Sequence, residues 1–290
     1  MNDDNEIGPG RLVGAMRADE VATLIEWAAK EHWNPGLADV GIAWSVDPAA
    51  FIAVRERGEL IAGGTILSYD GAFGFMGLFI VRRDLRGAGL GTSLWQYRRD
   101  RLIERLAPGA SIGMDGVFGM VPFYERGGFV FAHRDLRLEG TAHGARDPSV
   151  VALSAVGFPV IDSFDRKHVA APRSALLRRW LEQRGAHGGA LLEDERLVAY
   201  GVVRPCRVGY RFGPFLAERA DLAERLMGHL LAAIEGEPVQ IDVPEPNEAG
   251  LGLARESGLV ESFGCARMYL GGEPDIPLNR VFGVTSFEFG

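Results

Sequence analysis

The sequence has little of what would tie it to a metal, a membrane or nucleic acid. Only two cysteines, Cys206 and Cys265, occur in 290 residues, far apart and at no zinc-ligand spacing. They read as two reduced thiols of a cytoplasmic protein, with no metal site. No apolar run reaches the roughly 20 residues that a membrane helix needs. Basic charge is not in excess: the formal net charge is −8. A nucleic-acid partner normally requires a basic face, and only Arg82, Arg83 and Arg86 make a local cluster. The first residues, Met1 to Glu6, are acidic and polar, unlike a signal peptide, so 1–10 reads as a flexible lead-in.

What is present is a length sufficient for two full cores, with 47% hydrophobic and 24% charged residues. Val21, Leu24, Ile25, Ala28 and Ala29 recur at helical spacing after Asp19, a candidate N-cap, and Pro35-Gly36 ends that helix. Phe51 to Val54, Leu60 to Tyr69 and Phe73 to Val81 read as strands, the last two joined by the hairpin signal Asp70-Gly71. Helix is predicted over Leu90 to Leu106, strand over Ala110 to Met114, a short helix over Val117 to Arg126, and strand over Phe129 to Leu138. A first domain of 11–140 is followed by a linker of 141–150, rich in Gly, Ala, Arg and Asp.

The region 151–290 repeats the order. Helix at Ser174 to Gln183 precedes a hairpin of Ala190 to Leu192 and Leu197 to Val203, then a strand at Val208 to Leu216. Helix at Leu222 to Ile234, strand at Val239 to Val243, helix at Glu248 to Ser257 and strand at Ser262 to Leu270 complete it. The fold class is α+β, a mixed sheet in each of two duplicated domains. Pro274 to Gly290 lies outside the repeat and alternates apolar residues like an added strand.

The strand Phe73 to Val81 runs into Arg86-Gly-Ala-Gly-Leu-Gly91 and then a helix. A pyrophosphate needs several donors at close range. Successive backbone N–H groups supply them where Gly87, Gly89 and Gly91 leave no side chain in the way, and the helix adds its positive end. A dinucleotide site would instead require a parallel βαβ unit, and the strands before this loop are antiparallel hairpins.

Arg86-x-x-Gly89-x-Gly91, placed directly after such a strand, resembles the signature of the GCN5-related N-acetyltransferases (GNAT). The resemblance implies two tandem GNAT-like domains and acetyl-CoA as co-substrate. It places pantetheine along Phe79, Ile80 and Val81, and the pyrophosphate on Arg86, Gly87, Ala88, Gly89, Leu90, Gly91 and Thr92. It also implies that Tyr124, in Phe123-Tyr-Glu-Arg-Gly-Gly-Phe129, protonates the leaving sulfur, as a phenol of pKa about 10 can.

The base is open. Phe73 to Val81 has no carboxylate, whereas many relatives carry one there. Asp115 is the candidate, with a turn-forming role before Gly116 as its alternative; His133 and a water chain are others. Trp33 and Asn34 lie where the family keeps its acceptor loop, or else form a helix-ending turn. In the second half, Ala217 to Glu224 has no glycines and carries Glu218, Asp221 and Glu224, and Ala254 replaces the tyrosine. That domain is expected to be degenerate and non-catalytic, although Phe212-Gly-Pro-Phe215 leaves room for a cryptic groove. The implied activity is acetyl transfer to a small-molecule or amino-acid-like amine; a non-catalytic acyl-CoA sensor is the alternative. No metal, nucleic acid or membrane partner is expected, and a homodimer is admitted.

Overall fold

A computed structural model describes residues 5–290. The first unit contains β1 (Asn5–Gly8), β2 (Arg11–Ala15), α1 (Ala18–Lys30), α2 (Asp39–Val46), β3 (Phe51–Glu56), β4 (Glu59–Tyr69) and β5 (Phe73–Val81). It continues with α3 (Leu90–Ile103), β6 (Ser111–Gly116), α4 (Val121–Arg126) and β7 (Val130–Thr141). The second unit contains α5 (Leu153–Val156), α6 (Phe158–Asp165), α7 (Ser174–Leu181), β8 (His187–Glu193), β9 (Arg196–Pro205) and β10 (Tyr210–Ala217). It ends with α8 (Ala220–Leu231), β11 (Pro238–Pro244), α9 (Glu248–Glu256), β12 (Val260–Leu270) and β13 (Val281–Gly283).

The hairpin signals hold. Asp70 and Gly71 both take positive φ, 49° and 75°, the geometry a two-residue turn between twisted strands requires. The lead-in does not hold for its described part. Residues 5–8 pair with β2 across a Gly8-Pro9-Gly10 turn, placing a hairpin at the sheet edge where 1–10 reads as flexible. Residues 1–4 lie outside the described residues.

The two sheets are joined as one, in the order β1-β2-β3-β4-β5-β6-β12-β7-β11-β10-β9-β8, with β13 against β10. The last strands of the units are exchanged. β12 inserts between β6 and β7, and β7 inserts between β12 and β11. Each unit is therefore completed by the other. Residues of β12 consequently reach the first unit's site.

Buried charge crosses the same junction. Arg204 Nε and Nη2 donate to Asp39 at 2.8 and 2.9 Å, and Arg137 holds Asp242 at 2.6 and 2.8 Å. Arg211 lies between them, 3.7 Å from Asp39, 3.8 Å from Asp242 and 3.4 Å from Glu288. Removing one partner of such a pair leaves an uncompensated buried charge, which costs about 3–5 kcal/mol. Asp39→Ala is therefore expected to lower the urea midpoint sharply. Replacing Asp39 and Arg204 together by apolar residues is expected to cost much less than either single change.

The tail is the largest difference from a simple duplication. β10 and β11 pair in parallel only at Tyr210–Val239 and Arg211–Gln240, then diverge. β13 fills the gap by pairing with β10 at Phe215 and Leu216, and Val284 N donates to Asp242 O of β11 at 2.9 Å. The groove that Phe212-Gly-Pro-Phe215 leaves open is thus occupied by the protein's own tail. The tail then continues into the first unit, where Tyr69 donates its hydroxyl proton to Phe289 O and Gly290 packs on Phe75. Arg173, held by Asp165, anchors it through Thr285 and the Gly290 carbonyl.

Candidate active site

β5 and β6 run parallel and pair from Phe73–Ser111 to Met76–Met114, then separate. The β5 edge from Gly77 to Val81 therefore has no strand beside it. On its other side the ladder with β4 is broken by a bulge. Gly63 pairs with Ile80 and Thr65 with Gly77, so Leu78 and Phe79 face Gly64 alone, and Leu78 takes φ 49°. Bulges of this kind re-aim backbone groups next to active sites.

Arg98 of α3 props the bulge. Its Nη2 donates to Thr65 O and Gly77 O, both at 2.6 Å, and its guanidinium lies 5.2 Å from the Phe79 ring centroid. Gly64 is required here, because a Cβ would fall 2.5 Å from Arg98 Cζ. Arg98 is buried without a carboxylate partner, and burial draws its pKa down.

A cavity of about 650 Å³ follows the open edge. Of the residues the sequence assigns to the coenzyme, Phe79, Ile80, Val81, Arg86, Gly87, Gly89, Gly91 and Thr92 line it. Gly87 and Gly89 have φ of 81° and 84°, which L side chains rarely adopt, and Gly89 caps the 14-residue helix α3. Two of the expected loop residues do not face the cavity through side chains. Leu90 turns into the core, and Ala88 is not among the lining residues. Arg86 donates to Val81 O at 2.9 Å and to Glu31 at 2.8 Å. Burial pushes the Glu31 carboxyl up, but Arg86 and Arg83 outweigh it and hold the group low.

Gly89→Val tests this loop. A Cβ there meets no neighbour among the described residues, so the main cost to the fold is the left-handed backbone, about 1–2 kcal/mol or somewhat more for a β-branched residue. The same Cβ blocks backbone approach to a phosphate. Calorimetry is expected to show coenzyme A binding weakened at least a hundredfold while the chain stays folded.

Tyr124 lines the cavity and is 5% exposed. Gly116 makes room for its ring, since a Cβ there would lie 2.4 Å from Tyr124 Cε2. Trp95 packs against Tyr124 and Phe123. Burial raises the phenol to about 12, partly offset by the Arg98 charge.

Asp115 does not stand as a free base. Its side chain has no exposed surface, and Arg267 donates to both its oxygens at 2.6 and 2.7 Å. Burial raises its pKa, and the neighbouring Asp135, on the other side of Arg267, adds to this. His133 faces Asp135 at 3.5 Å and a separate small cavity, away from the open edge. Trp33 does line the acyl cavity. Asn34 does not; it is a clasp between the units, donating to Val208 O and Gln240 Oε1 at 3.0 Å and accepting from Val208 N at 2.9 Å.

Four lining residues come from the second unit: Phe263 and Cys265 on β12, and Phe287 and Glu288 on the tail. No local signal places them here. Only the strand exchange and the path of the tail do. Burial pushes the Cys265 thiol well above its ordinary range, and the Asp115 charge adds to this. Among the described residues, no group of three or more His, Cys, Asp or Glu side chains is arranged to hold a metal.

An open strand edge ending in a glycine loop at a helix N-terminus, with a buried phenol on the same cavity, is an arrangement suited to acyl transfer on a mixed α/β fold. The sequence agrees. The "Acetyltransferase (GNAT) family" matches residues 18–129 and the "Acetyltransferase (GNAT) domain" matches residues 161–283. The chain belongs to the GNAT acetyltransferases as a tandem protein with one GNAT domain in each half.

Holothin acyltransferase of Pseudoalteromonas sp. (strain SANK 73390) is 28% identical over 275 residues, covering 94% of this chain and 92% of the relative. "Uncharacterized N-acetyltransferase YitH" of Bacillus subtilis (strain 168) is 25% identical over 240 residues, covering 79% and 80%. Among solved structures, "A Putative Acetyltransferase" from Pyrococcus horikoshii superimposes with TM-score 0.83 at 19% identity, covering 100% of this chain and 99% of that one. A tandem GNAT protein from the clavulanic acid biosynthesis pathway gives 0.63 at 13% identity, covering 91% and 100%. These structures share the fold. Together the findings make the protein an acyltransferase.

Proposed function

We propose that the protein moves an acetyl group from acetyl-CoA to a primary amine of a small-molecule or amino-acid-like acceptor, by direct attack in a ternary complex. The observation that carries this reading is one cavity that holds the unpaired Gly77–Val81 edge, the Arg86–Thr92 loop and Tyr124 together. The backbone of β5 binds the pantetheine arm, and the loop and the α3 N-terminus receive the pyrophosphate. The bulge at Leu78 and Phe79 aims backbone groups at the thioester, where a donor stabilises charge developing on oxygen.

Tyr124 donates to the leaving sulfur. A thiol ionises near 8.5 and this phenol near 12, so transfer from Tyr124 to the departed thiolate is uphill on its own. Tyr124 therefore hydrogen-bonds the sulfur as the bond breaks. Its proton passes to sulfur in concert with uptake of one from the acylated nitrogen, whose acidity drives the exchange, and the Arg98 charge eases the step. The raised Cys265 thiol is a poor nucleophile. That supports direct attack over a cysteinyl intermediate.

Trp33, Phe263 and Phe287 line the cavity and offer an apolar acceptor wall. The relative named for holothin is an acyltransferase of similar length, which supports a small-molecule acceptor here too. Both cysteines are free and buried, which fits a reducing cytoplasm. The second unit is read as non-catalytic. Its loop region bears Arg219, paired with Glu193 and Asp221, and its groove holds β13. Purified protein given acetyl-CoA and an amine panel is expected to release free thiol. Coenzyme binding without turnover of any amine would favour a sensor.

A further inference from the structure

The reaction as built lacks a base, and the tail brings one. Glu288 lies three residues from Thr285, which Arg173 holds, and its backbone is pressed onto β5. A Cβ on Gly77 would fall 2.0 Å from Glu288 O. Gly77 is the first residue of the open edge, so Glu288 is fixed beside the point where the thioester must lie. Glu288 lines the acyl cavity. Oε2 accepts a long bond of 3.4 Å from Arg211, and Oε1 accepts none among the described residues.

We infer that Glu288, on the C-terminal tail of the degenerate unit, is the general base for the acceptor amine. The inference rests on the acyltransferase reading above. Three features support Glu288 over Asp115. The Glu288 side chain retains 7% exposure, against none for Asp115. Its single ionic partner is loose, whereas Arg267 clamps both Asp115 oxygens. It also completes a balanced buried set: Arg137, Arg204 and Arg211 against Asp39, Asp242 and Glu288. The cation that faces Glu288 thus engages one carboxyl oxygen and leaves the other free.

The proton path balances. Glu288 takes one proton from the acceptor ammonium, and the freed nitrogen lone pair forms the C–N bond. The C–S pair leaves with sulfur, which is protonated through Tyr124, and Tyr124 is restored by the second nitrogen proton. Glu288 returns its proton to solvent. Other charges around the carboxylate are Arg211 on β10, Arg137 on β7 (4.9 Å from the Phe287 ring centroid), Asp242 on β11 and Asp39 on α2. Arg98, Tyr124 and Cys265 also border the cavity.

Glu288→Gln keeps the shape and removes the base. For an alkylamine, kcat/KM is expected to fall about 100-fold or more, as for loss of a positioned general base, with acetyl-CoA affinity unchanged. The deficit is expected to shrink for a hydrazide, whose nitrogen is already neutral. A merely structural role would slow both nucleophiles alike. Unchanged turnover of the alkylamine, an equal deficit with both nucleophiles or lost acetyl-CoA affinity in Glu288→Gln overturns the assignment. If that variant does not fold, Glu288→Asp retains the charge and retracts it by one methylene; wild-type turnover there overturns it too. Failure of the wild type to acetylate any amine is a separate result, and it sinks the acyltransferase reading together with the base.

Discussion

A chain ending at Arg280 is expected not to fold. The missing segment buries Val281, Phe282, Val284, Phe287 and Phe289. Burying a side chain of this size contributes about 1.5–3 kcal/mol, so the five together are of the order of the roughly 5–15 kcal/mol that holds a whole domain. The loss also opens the β10–β11 gap and leaves Arg211 without Glu288 and Arg173 without Thr285. Circular dichroism and size-exclusion chromatography of the truncated protein check this. A folded monomer with native thermal stability would show that the tail is an accessory.

The second large effect falls on the rate alone. Tyr124→Phe removes a hydroxyl and keeps the ring against Trp95 and in the space left by Gly116. Stability and acetyl-CoA affinity are expected to stay near wild type, and kcat to fall about 10²–10⁴-fold, the range for a lost general acid. The raised phenol, near 12, fixes the sign of the pH dependence. Tyr124 keeps its proton across neutral pH, so the group imposes no alkaline fall in rate below about pH 11. A loss of activity between pH 8 and 9 that disappears in Tyr124→Phe would contradict the protonated role. A variant that turns over at the wild-type rate would remove Tyr124 from the reaction.

The coenzyme half of the site was legible because its chemistry is backbone chemistry. Gly87 and Gly89 hold a positive φ that L side chains rarely adopt, Gly91 follows them in the helix, and their order after β5 is local. Tyr124 was legible for the same reason, standing six residues before the start of β7 inside one short motif. The acceptor half was not. Asn34 reads as a pocket residue until Val208, 174 positions away, takes its amide. Asp115 reads as a base until Arg267, its cross-strand neighbour on the exchanged β12, clamps it.

Glu288 stands in the closing Gly-Val-Thr-Ser-Phe-Glu-Phe-Gly290 stretch, to which the sequence assigns no role, because what sets Glu288 at the cavity is Gly77 lying under it. Strand exchange itself leaves little trace, since alternation reports which face a residue occupies and not which strand lies beside it. Helix α2 escaped because Val40, Ile42, Ala43 and Trp44 are apolar on several sides and carry no helical period. The β1–β2 hairpin did have a signal, Gly8-Pro9-Gly10 between Ile7 and Leu12-Val13, which the acidic first residues obscured.

On the proposed function, the tail also accounts for one site in a duplicated fold. Both units open a splay between parallel strands. In the first the splay ends in glycines and stays open; in the second β13 lies across it. The second unit then serves the first, through Phe263, Cys265, Phe287 and Glu288. Titration calorimetry with acetyl-CoA tests this most directly. One molecule is expected to bind per chain, with that single event abolished or severely weakened in Gly89→Val. Two binding events per chain, or one event unaffected by Gly89→Val, would contradict it.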